Sequence, residues 1–219
     1  MKDTKIKVDI VSDVVCPWCY IGKRRFEAAI ASLPPNIEVS VRHLPFELNP
    51  NLPVAGTDQK EHLTNKFGGD QRYEQLTERV TSVAKEEGLN YRFNIQNVLP
   101  NTLDAHRLIQ FASTSNAQDA VIEGLMKAYF EEGIDLSNRD NLLDIAAKAG
   151  VDRQAASQLL QSDGDVPAIR QMEKLNQERG ISGVPFFIIN DKYGVSGAQP
   201  KETFLQILME VAAENVEKV

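Results

Sequence analysis

Cysteine, histidine and tryptophan are scarce in this chain of 219 residues, which contains 2 Cys, 3 His and 1 Trp. Zinc sites usually take four ligands from paired Cys and His groups. The sequence has no second Cys pair, and His43, His62 and His106 follow no ligand spacing. Basic residues are also few, since 24 Lys and Arg stand against 31 Asp and Glu, a net charge of −7. We therefore expect neither a metal site nor a nucleic-acid partner, which would require a cationic surface.

Long hydrophobic runs are missing too, because no apolar segment approaches the roughly 20 residues needed to cross a bilayer. The apolar stretch from Val8 to Val15 is interrupted by Asp9 and Asp13, and no small-residue cleavage site follows it. This pattern is typical of a strand and not of a secretory signal. We expect a cytoplasmic protein without a membrane partner. With 42% hydrophobic and 25% charged residues, a chain of this length can form one domain with an insertion or two small domains.

Both ends of the chain carry patterns of mixed α/β structure. Alternation of β-branched residues predicts strands, and apolar stripes bounded by Pro or Gly predict helices. The first part reads as a strand at 5–11, a helix at 17–32, a strand at 37–44 and a loop at 45–57. The last part reads as a helix at 165–179, strands at 184–190 and 193–196, and a helix at 200–213.

The middle of the chain, from 58 to 164, shows a helical pattern throughout and no strand pattern. A segment without strands cannot contribute to a parallel sheet. We therefore predict one α/β domain, formed by residues 1–57 and 165–219, that is split by a helical insertion of residues 58–164.

The two cysteines form the motif Cys16-Pro17-Trp18-Cys19 at the junction between the first strand and the first helix. Cys16 is expected to be the N-cap of the helix, where unpaired N–H groups and the helix dipole favour an anion. Cys19 lies one turn further along the same face, so the two sulfurs can form a disulfide without unwinding the helix. An exposed first sulfur could attack a disulfide, and a deeper second sulfur could resolve the product.

Two other interpretations of the cysteine pair are open. The first is a pair of inert, buried thiols, although such a pair gives no reason for Pro-Trp at a helix start. The second is half of a zinc site, for which the other ligands are lacking. A structural disulfide would close too small a loop to add much stability.

Five segments resemble the thioredoxin superfamily, in its DsbA-like branch with a helical insertion, and within it the FrnE-type oxidoreductases. Together the segments extend over nearly the whole chain. They are Ser12-Asp13-Val14-Val15-Cys16-Pro17-Trp18-Cys19-Tyr20-Ile21-Gly22-Lys23, Pro45-Phe46-Glu47-Leu48-Asn49-Pro50, Asn101-Thr102-Leu103-Asp104-Ala105-His106-Arg107-Leu108, Gly183-Val184-Pro185-Phe186-Phe187 and Val195-Ser196-Gly197-Ala198-Gln199-Pro200.

The resemblance implies a thioredoxin-like fold and a thiol–disulfide oxidoreductase. Cys16 matches the family's attacking cysteine and Cys19 its resolving cysteine. Val184-Pro185 matches the cis-proline loop, which lies beside the sulfurs and pairs its backbone with an extended substrate. A proline that merely starts an edge strand is the other interpretation of Pro185.

Several weaker signals lie around the motif. Trp18 is expected to be an exposed lid that contacts substrate, with a partly buried packing residue as the alternative. The position of the buried acid found in many thioredoxin-fold enzymes, six residues before the first cysteine, is occupied by Ile10. Asp13 could approach the site or cap the turn, and it is not predicted to be catalytic. His106 is interpreted as a surface or satisfied core residue, and 46–50 as a loop that could line the cleft.

Three functions compete. The leading prediction is an oxidoreductase that needs no cofactor and acts on a disulfide-containing peptide or a small thiol or disulfide, glutathione included. The second is a glutathione-dependent isomerase or transferase of the kappa and hydroxychromene-carboxylate isomerase type, whose members typically carry Ser at the first position of the motif. The third is a redox-independent holdase. The sequence indicates neither the direction of electron flow nor the oligomeric state.

Overall fold

The computed structural model describes the backbone of residues 4–217 and the side chains of residues 4–214. The strands of the central sheet are β1 (Thr4–Ser12), β2 (Ile37–Pro45), β5 (Phe186–Ile189) and β6 (Tyr193–Ser196). They lie in the order β2-β1-β5-β6. β1 is parallel to β2 and antiparallel to β5, which is antiparallel to β6. The sheet therefore combines strands from both ends of the chain, as their patterns predict.

Two helices, α1 (Pro17–Ile30) and α9 (Lys201–Glu217), cover one face of this sheet. Alternate residues of β1 and β5 point into that layer, where Phe26 of α1 lies against two further rings. Its ring centroid is 5.1 Å from that of Phe187 and 5.2 Å from that of Phe204. This packing fixes α1 on the sheet and thereby positions the motif at its first turn.

The remaining elements lie between β2 and β5 in the chain. They are β3 (Thr57–Asp58), α2 (Gln59–Phe67), α3 (Asp70–Glu86), β4 (Val98–Leu99), α4 (Leu103–Ala112), α5 (Gln118–Phe130), α6 (Arg139–Lys148), α7 (Arg153–Leu160) and α8 (Val166–Glu178). Two 3₁₀ turns are added at Phe93–Ile95 and Ser113–Ser115. Asp58 caps α2, since its carboxylate accepts the Glu61 N–H at 2.7 Å.

The prediction that residues 58–164 are helical throughout is wrong between α3 and α4. That stretch contains a 3₁₀ turn and β4, which pairs antiparallel with β3 as a separate two-stranded sheet. A strand of two residues is too short to show the alternation by which strands are recognised. The division into residues 1–57 with 165–219 and the insertion 58–164 stays a prediction, and its residues 1–3 and 218–219 lie outside the described chain.

Helix α1 packs against two hydrophobic cores at once. Its later residues face the sheet, whereas Cys16, Cys19 and Tyr20 belong to a large core formed mainly by the helices that follow β3. We call the central sheet with α1 and α9 the sheet layer, and the helices between β3 and β5 the helical layer. The cysteine motif therefore lies where these two layers meet. None of the helices within residues 4–217 combines the length and apolar character that a membrane span requires.

Candidate active site

Cys16 is the N-cap of α1, as predicted, with an extended backbone at φ −88° and ψ 112°. The turn before it is closed by the Cys16 N–H, which donates to the Asp13 carbonyl at 3.1 Å. Pro17 follows in the first helical turn, where its missing N–H leaves no helical hydrogen bond unmade. No acidic residue lies in the first turn of α1. The first turn of α1 therefore adds no carboxylate that would disfavour an anion at Cys16.

Both cysteines are free thiols, and Cys19 is buried, as predicted, whereas Cys16 is more enclosed than predicted. Cys16 is 5% exposed and Cys19 is 2% exposed. The prediction that the Cys16 sulfur is exposed is wrong, because the helical layer covers the start of α1. Cys16 still forms part of a cavity wall, which Cys19 does not. Burial, together with the neighbouring Cys16 thiol, raises the pKa of the Cys19 thiol well above its usual range.

The loop before β5 reaches the sulfur of Cys16. The Cys16 thiol donates a hydrogen bond to the Val184 carbonyl, with 3.7 Å between sulfur and oxygen. The Val184–Pro185 peptide bond is cis, which confirms the expectation. The Pro185 carbonyl accepts the Gly197 N–H at 2.8 Å. These contacts place the loop beside Cys16.

A cavity of about 490 Å³ opens at this point between the motif and the helical layer. Pro17, Trp18 and Val184 lie in its wall with Cys16, whereas Pro185 is not one of the wall residues. Trp18 is 36% exposed, and its role as a lid that contacts substrate stays a prediction. The segment 46–50 contributes Leu48 and Asn49. The other wall residues are Val15, Gln59, Leu63, Lys66, Phe67, Leu76, Thr77, Arg79, Val80, Phe93, Gln96, Leu99, Tyr129 and Phe130.

Tyr91, which the sequence did not single out, holds the motif from the helical side. Its hydroxyl donates to the Pro17 carbonyl at 2.6 Å, and its ring stacks on Phe130 with 4.6 Å between centroids. Burial raises the pKa of Tyr91 far above its usual range, and the nearby cysteines add to the effect. Tyr91 is therefore a neutral donor at any physiological pH. Tyr91 lies more than seventy residues after the motif in the chain, so no local sequence pattern predicts this contact.

Asp13 and His106 meet in a buried pair next to the motif. Asp13 is 0% exposed, and its carboxylate accepts the Leu48 N–H at 2.8 Å. His106 Nε2 lies 3.6 Å from Asp13 Oδ1 and 3.1 Å from the Phe46 carbonyl oxygen. Burial alone would lower the pKa of His106, but the negative charge of nearby Asp13 raises it.

Asp13 holds the turn before α1 against the loop after β2 and also lies close to Cys19, so it both caps the turn and approaches the site. His106 is a buried histidine with polar partners, which confirms its interpretation as a satisfied core residue. Ile10, six residues before Cys16, is buried in the apolar core of the sheet. Among the described side chains, no group of three or more His, Cys, Asp or Glu residues is placed to hold a metal ion.

The chain was compared with protein-family models, with curated proteins and with solved structures. The family model described as "DSBA-like thioredoxin domain" matches residues 7–209. A crystal structure of a probable DsbA oxidoreductase from Streptomyces coelicolor is 33% identical, with a TM-score of 0.87 over 95% of this chain and 91% of that chain.

Two further relatives extend the comparison. The uncharacterized protein YwbO of Bacillus subtilis is 27% identical over 91% of this chain and 94% of its own length. A 2-hydroxychromene-2-carboxylate isomerase structure has a TM-score of 0.71 over 97% of this chain and 99% of that chain, at 16% identity. At that identity the likeness concerns the fold alone.

Proposed function

The chain belongs to the DSBA-like thioredoxin domain family, and we propose that it exchanges disulfides through Cys16 and Cys19. The observation that carries the proposal is the position of the Cys16 thiol. It lies at the N-terminus of α1, 3.7 Å from the Val184 carbonyl oxygen, in the wall of a cavity large enough for a ligand. A helix N-terminus favours an anion, and the thiolate is the nucleophile in disulfide exchange.

The proposed reaction has two steps. The Cys16 thiolate attacks one sulfur of the substrate disulfide, whose S–S bond breaks, and the released thiolate takes up a proton. Cys19 then gives up its proton and attacks the Cys16 sulfur, which frees the second substrate thiol and leaves a Cys16–Cys19 disulfide. Two electrons pass from the protein to the substrate, and a small thiol or a reductase restores the dithiol. The reverse sequence oxidises a substrate dithiol.

The burial of Cys19 fits the role of the resolving thiol. Its raised pKa keeps it protonated while Cys16 is free, so the two sulfurs do not compete for the substrate. We include Pro17, Trp18, Val184 and Pro185 in the proposal as substrate-binding residues. The substrate is a peptide disulfide or a small disulfide such as glutathione disulfide, and the location is cytoplasmic.

Matched serine variants test this proposal. We expect Cys19→Ser to accumulate a mixed disulfide with a substrate such as glutathione disulfide, because no second thiol can release it. Cys16→Ser should accumulate none, since the remaining thiol is buried away from the cavity. Intact-protein mass spectrometry before and after reduction measures the adduct. Equal adduct on both variants, or none on either, would contradict the proposal.

The same variants separate the two other candidate functions. Glutathione conjugation or isomerisation retained by Cys19→Ser would favour the glutathione-dependent class, which does not need a resolving thiol. Suppression of aggregation that survives replacement of both cysteines, without any disulfide exchange, would favour a holdase.

A further inference from the structure

The charged residues in the wall of the cavity beside Cys16 are all of one sign. Among the described residues of that wall, the charged side chains are Lys66 on α2 and Arg79 on α3, with neither Asp nor Glu. The chain as a whole carries a net charge of −7, so a purely basic wall departs from the composition of the molecule. A cavity with charges of one sign raises the local concentration of ligands of the opposite sign. The cavity therefore favours an anionic ligand.

Neither of these two cations is neutralised by a carboxylate in the part of the chain that the structure describes. Lys66 Nζ contacts Oδ1 of Asn49, another wall residue, at 2.9 Å, which holds the ammonium group at the cavity. The Arg79 guanidinium forms neither a hydrogen bond nor an ion pair within residues 4–214. Both side chains are exposed, so they lie where the cavity meets solvent and are accessible to a ligand.

The rest of the wall indicates what the ligand carries besides its anionic group. Apolar and aromatic side chains form most of it, and many of them belong to α2, α3 and α5. A ligand group that covers this surface must itself be apolar, because only then is its removal from water favourable. Cys16 lies in the same wall, so a disulfide attached to that apolar group can meet the attacking thiol.

We propose that this cavity binds a low-molecular-weight disulfide that carries a carboxylate at the end of an apolar chain. Lys66 and Arg79 attract the carboxylate at the solvent side, and the apolar chain lies against the helical layer. The Cys16 thiolate attacks the nearer sulfur and the S–S bond breaks. One half of the disulfide stays on Cys16, and the other leaves as a thiolate that takes up a proton. The proposal rests on the proposed function and narrows its substrate class, and it makes Lys66 and Arg79 specificity-determining residues.

Glutathione disulfide matches only one of these two features. It is anionic, but it offers little apolar surface to the wall, and its ammonium groups are repelled by Lys66 and Arg79. A long aliphatic chain with a terminal carboxylate has both features and no cation. We therefore expect such a disulfide to react with Cys16 faster than glutathione disulfide does, after correction for intrinsic reactivity.

Matched probe disulfides test the preference for an anion with the full-length Cys19→Ser protein. The first probe is 6,6′-dithiodihexanoic acid, and the second is its diamide, which has the same chain without the charge. The differing group lies far along the chain from the sulfur, and reaction with dithiothreitol corrects for any remaining difference in intrinsic reactivity. Mass spectrometry follows the growth of the Cys16 adduct. The measured quantity is the rate with the carboxylate divided by the rate with the amide.

We expect this ratio to be at least about twofold at low ionic strength and to fall as salt is added. Lys66→Gln and Arg79→Gln should each lower it about 1.5- to 5-fold, as the loss of an exposed ion pair would. Lys60→Gln and Arg72→Gln are the matched controls. They remove the same charge from exposed positions on the same two helices, outside the cavity wall, and should keep the wild-type ratio.

A further variant tests the apolar part of the proposal. Phe67 is a wall residue that is 40% exposed, so Phe67→Ser removes apolar wall without disturbing the core. It should slow the reaction with both hexanoyl probes and leave their ratio unchanged. The rate with 2-hydroxyethyl disulfide, which has no apolar chain, should stay at the wild-type value. Thermal unfolding of each variant verifies folding.

Each outcome bears on a stated claim. The proposed substrate class would be overturned by a ratio near 1, by an equal fall in the control variants, or by a ratio that Lys66→Gln and Arg79→Gln leave unchanged. Hexanoyl rates unaffected by Phe67→Ser, or a faster corrected reaction with glutathione disulfide, would overturn it as well. All of these results leave the oxidoreductase function standing. If no probe forms an adduct with Cys16, the oxidoreductase proposal itself fails.

Discussion

At the residue scale, Glu47 shows how this fold holds charges inside. It lies on the loop after β2 and is 7% exposed. Its N–H donates to Glu173 Oε1 at 3.1 Å, and Arg170 pairs with both carboxylates. Glu47 Oε2 is buried without a hydrogen-bond partner among the described residues. Burial, and then the negative charge of Glu173, raise the pKa of Glu47 to about 7.

This shift predicts a pH dependence of stability. The folded-state pKa of Glu47 lies above its ordinary value of 4.5, so the folded state holds the proton more tightly than the unfolded chain. The stabilisation is complete below pH 4.5 and is lost as pH rises through about 7. We expect the free energy of unfolding to fall over this window by on the order of 1–3 kcal/mol. Glu47→Gln should lose most of that fall, as urea denaturation between pH 4.5 and 8 would measure.

Other groups face Glu47 and must be separated from it. The pKa of Arg170 is raised, so it stays charged over this range, whereas His106, whose pKa is also raised, contributes a fall of the same sign. The charge of Glu47 contributes to the raised pKa of His106, so the difference between the two profiles reports on Glu47 together with its interaction with His106. Glu178→Gln, on an exposed part of α8, should reproduce the wild-type profile. Identical profiles for wild type and Glu47→Gln would contradict the prediction.

At the element scale, α1 must approach the loop before β5 closely, and Gly22 permits this. A Cβ atom on Gly22 would lie 3.0 Å from Pro185 Cγ and 3.4 Å from the Ala198 Cβ. Because the proline ring is rigid, a larger side chain would push this loop away from α1. The same displacement would move Val184 away from the Cys16 sulfur.

We expect Gly22→Val to reduce stability by about 1–3 kcal/mol through overpacking. It should also slow adduct formation at Cys16, because the Val184 carbonyl would move away from the Cys16 sulfur. Gly164→Val is the matched control, since no atom lies within 4 Å of a Cβ there, and it should change stability by less than about 0.5 kcal/mol. Chemical denaturation and the adduct assay measure the two effects. A Gly22→Val protein with wild-type stability and adduct rate would show that the close approach is not required.

At the scale of the whole molecule, Arg107 connects the helical layer to the chain that returns to the sheet. Its side chain is 1% exposed on α4. The guanidinium pairs with Asp104 on its own helix at 2.8 Å and with Asp165, just before α8, at 2.7 Å. It also donates to the Leu159 carbonyl at the end of α7, at 2.6 Å. One side chain thus links three helices.

Arg107→Leu should lower the free energy of unfolding by about 2–3 kcal/mol, because it leaves two partly buried carboxylates and the Leu159 carbonyl without their donor. Arg139→Leu is the matched control, because it removes a second arginine that pairs with the same carboxylate. Arg139 shares Asp104 with Arg107, at 2.8 Å, but its side chain is 50% exposed, so its loss should cost less than about 1 kcal/mol. Urea denaturation followed by circular dichroism measures both. Equal losses in the two variants would show that burial does not set the value of this link.

The sequence by itself determined the elements whose signal is local. Alternating β-branched residues predicted β1 and β2, and Cys16 followed by Pro17 predicted the start of α1, which the structure confirms. The motifs also indicated the family, which the family match confirms. These features depend on backbone preferences and side-chain periodicity over a few residues, so a single segment contains them.

Only the tertiary structure decided which distant residues meet at the motif. Tyr91 at the Pro17 carbonyl, Gln96 in the cavity and the Asp13–His106 pair all join residues far apart in the chain. The burial of Cys16 and the pairing of β3 with β4 also depend on contacts made after the helical layer packs. Hydrophobic burial drives that packing but has no direction, so periodicity shows which face is buried and not what it meets.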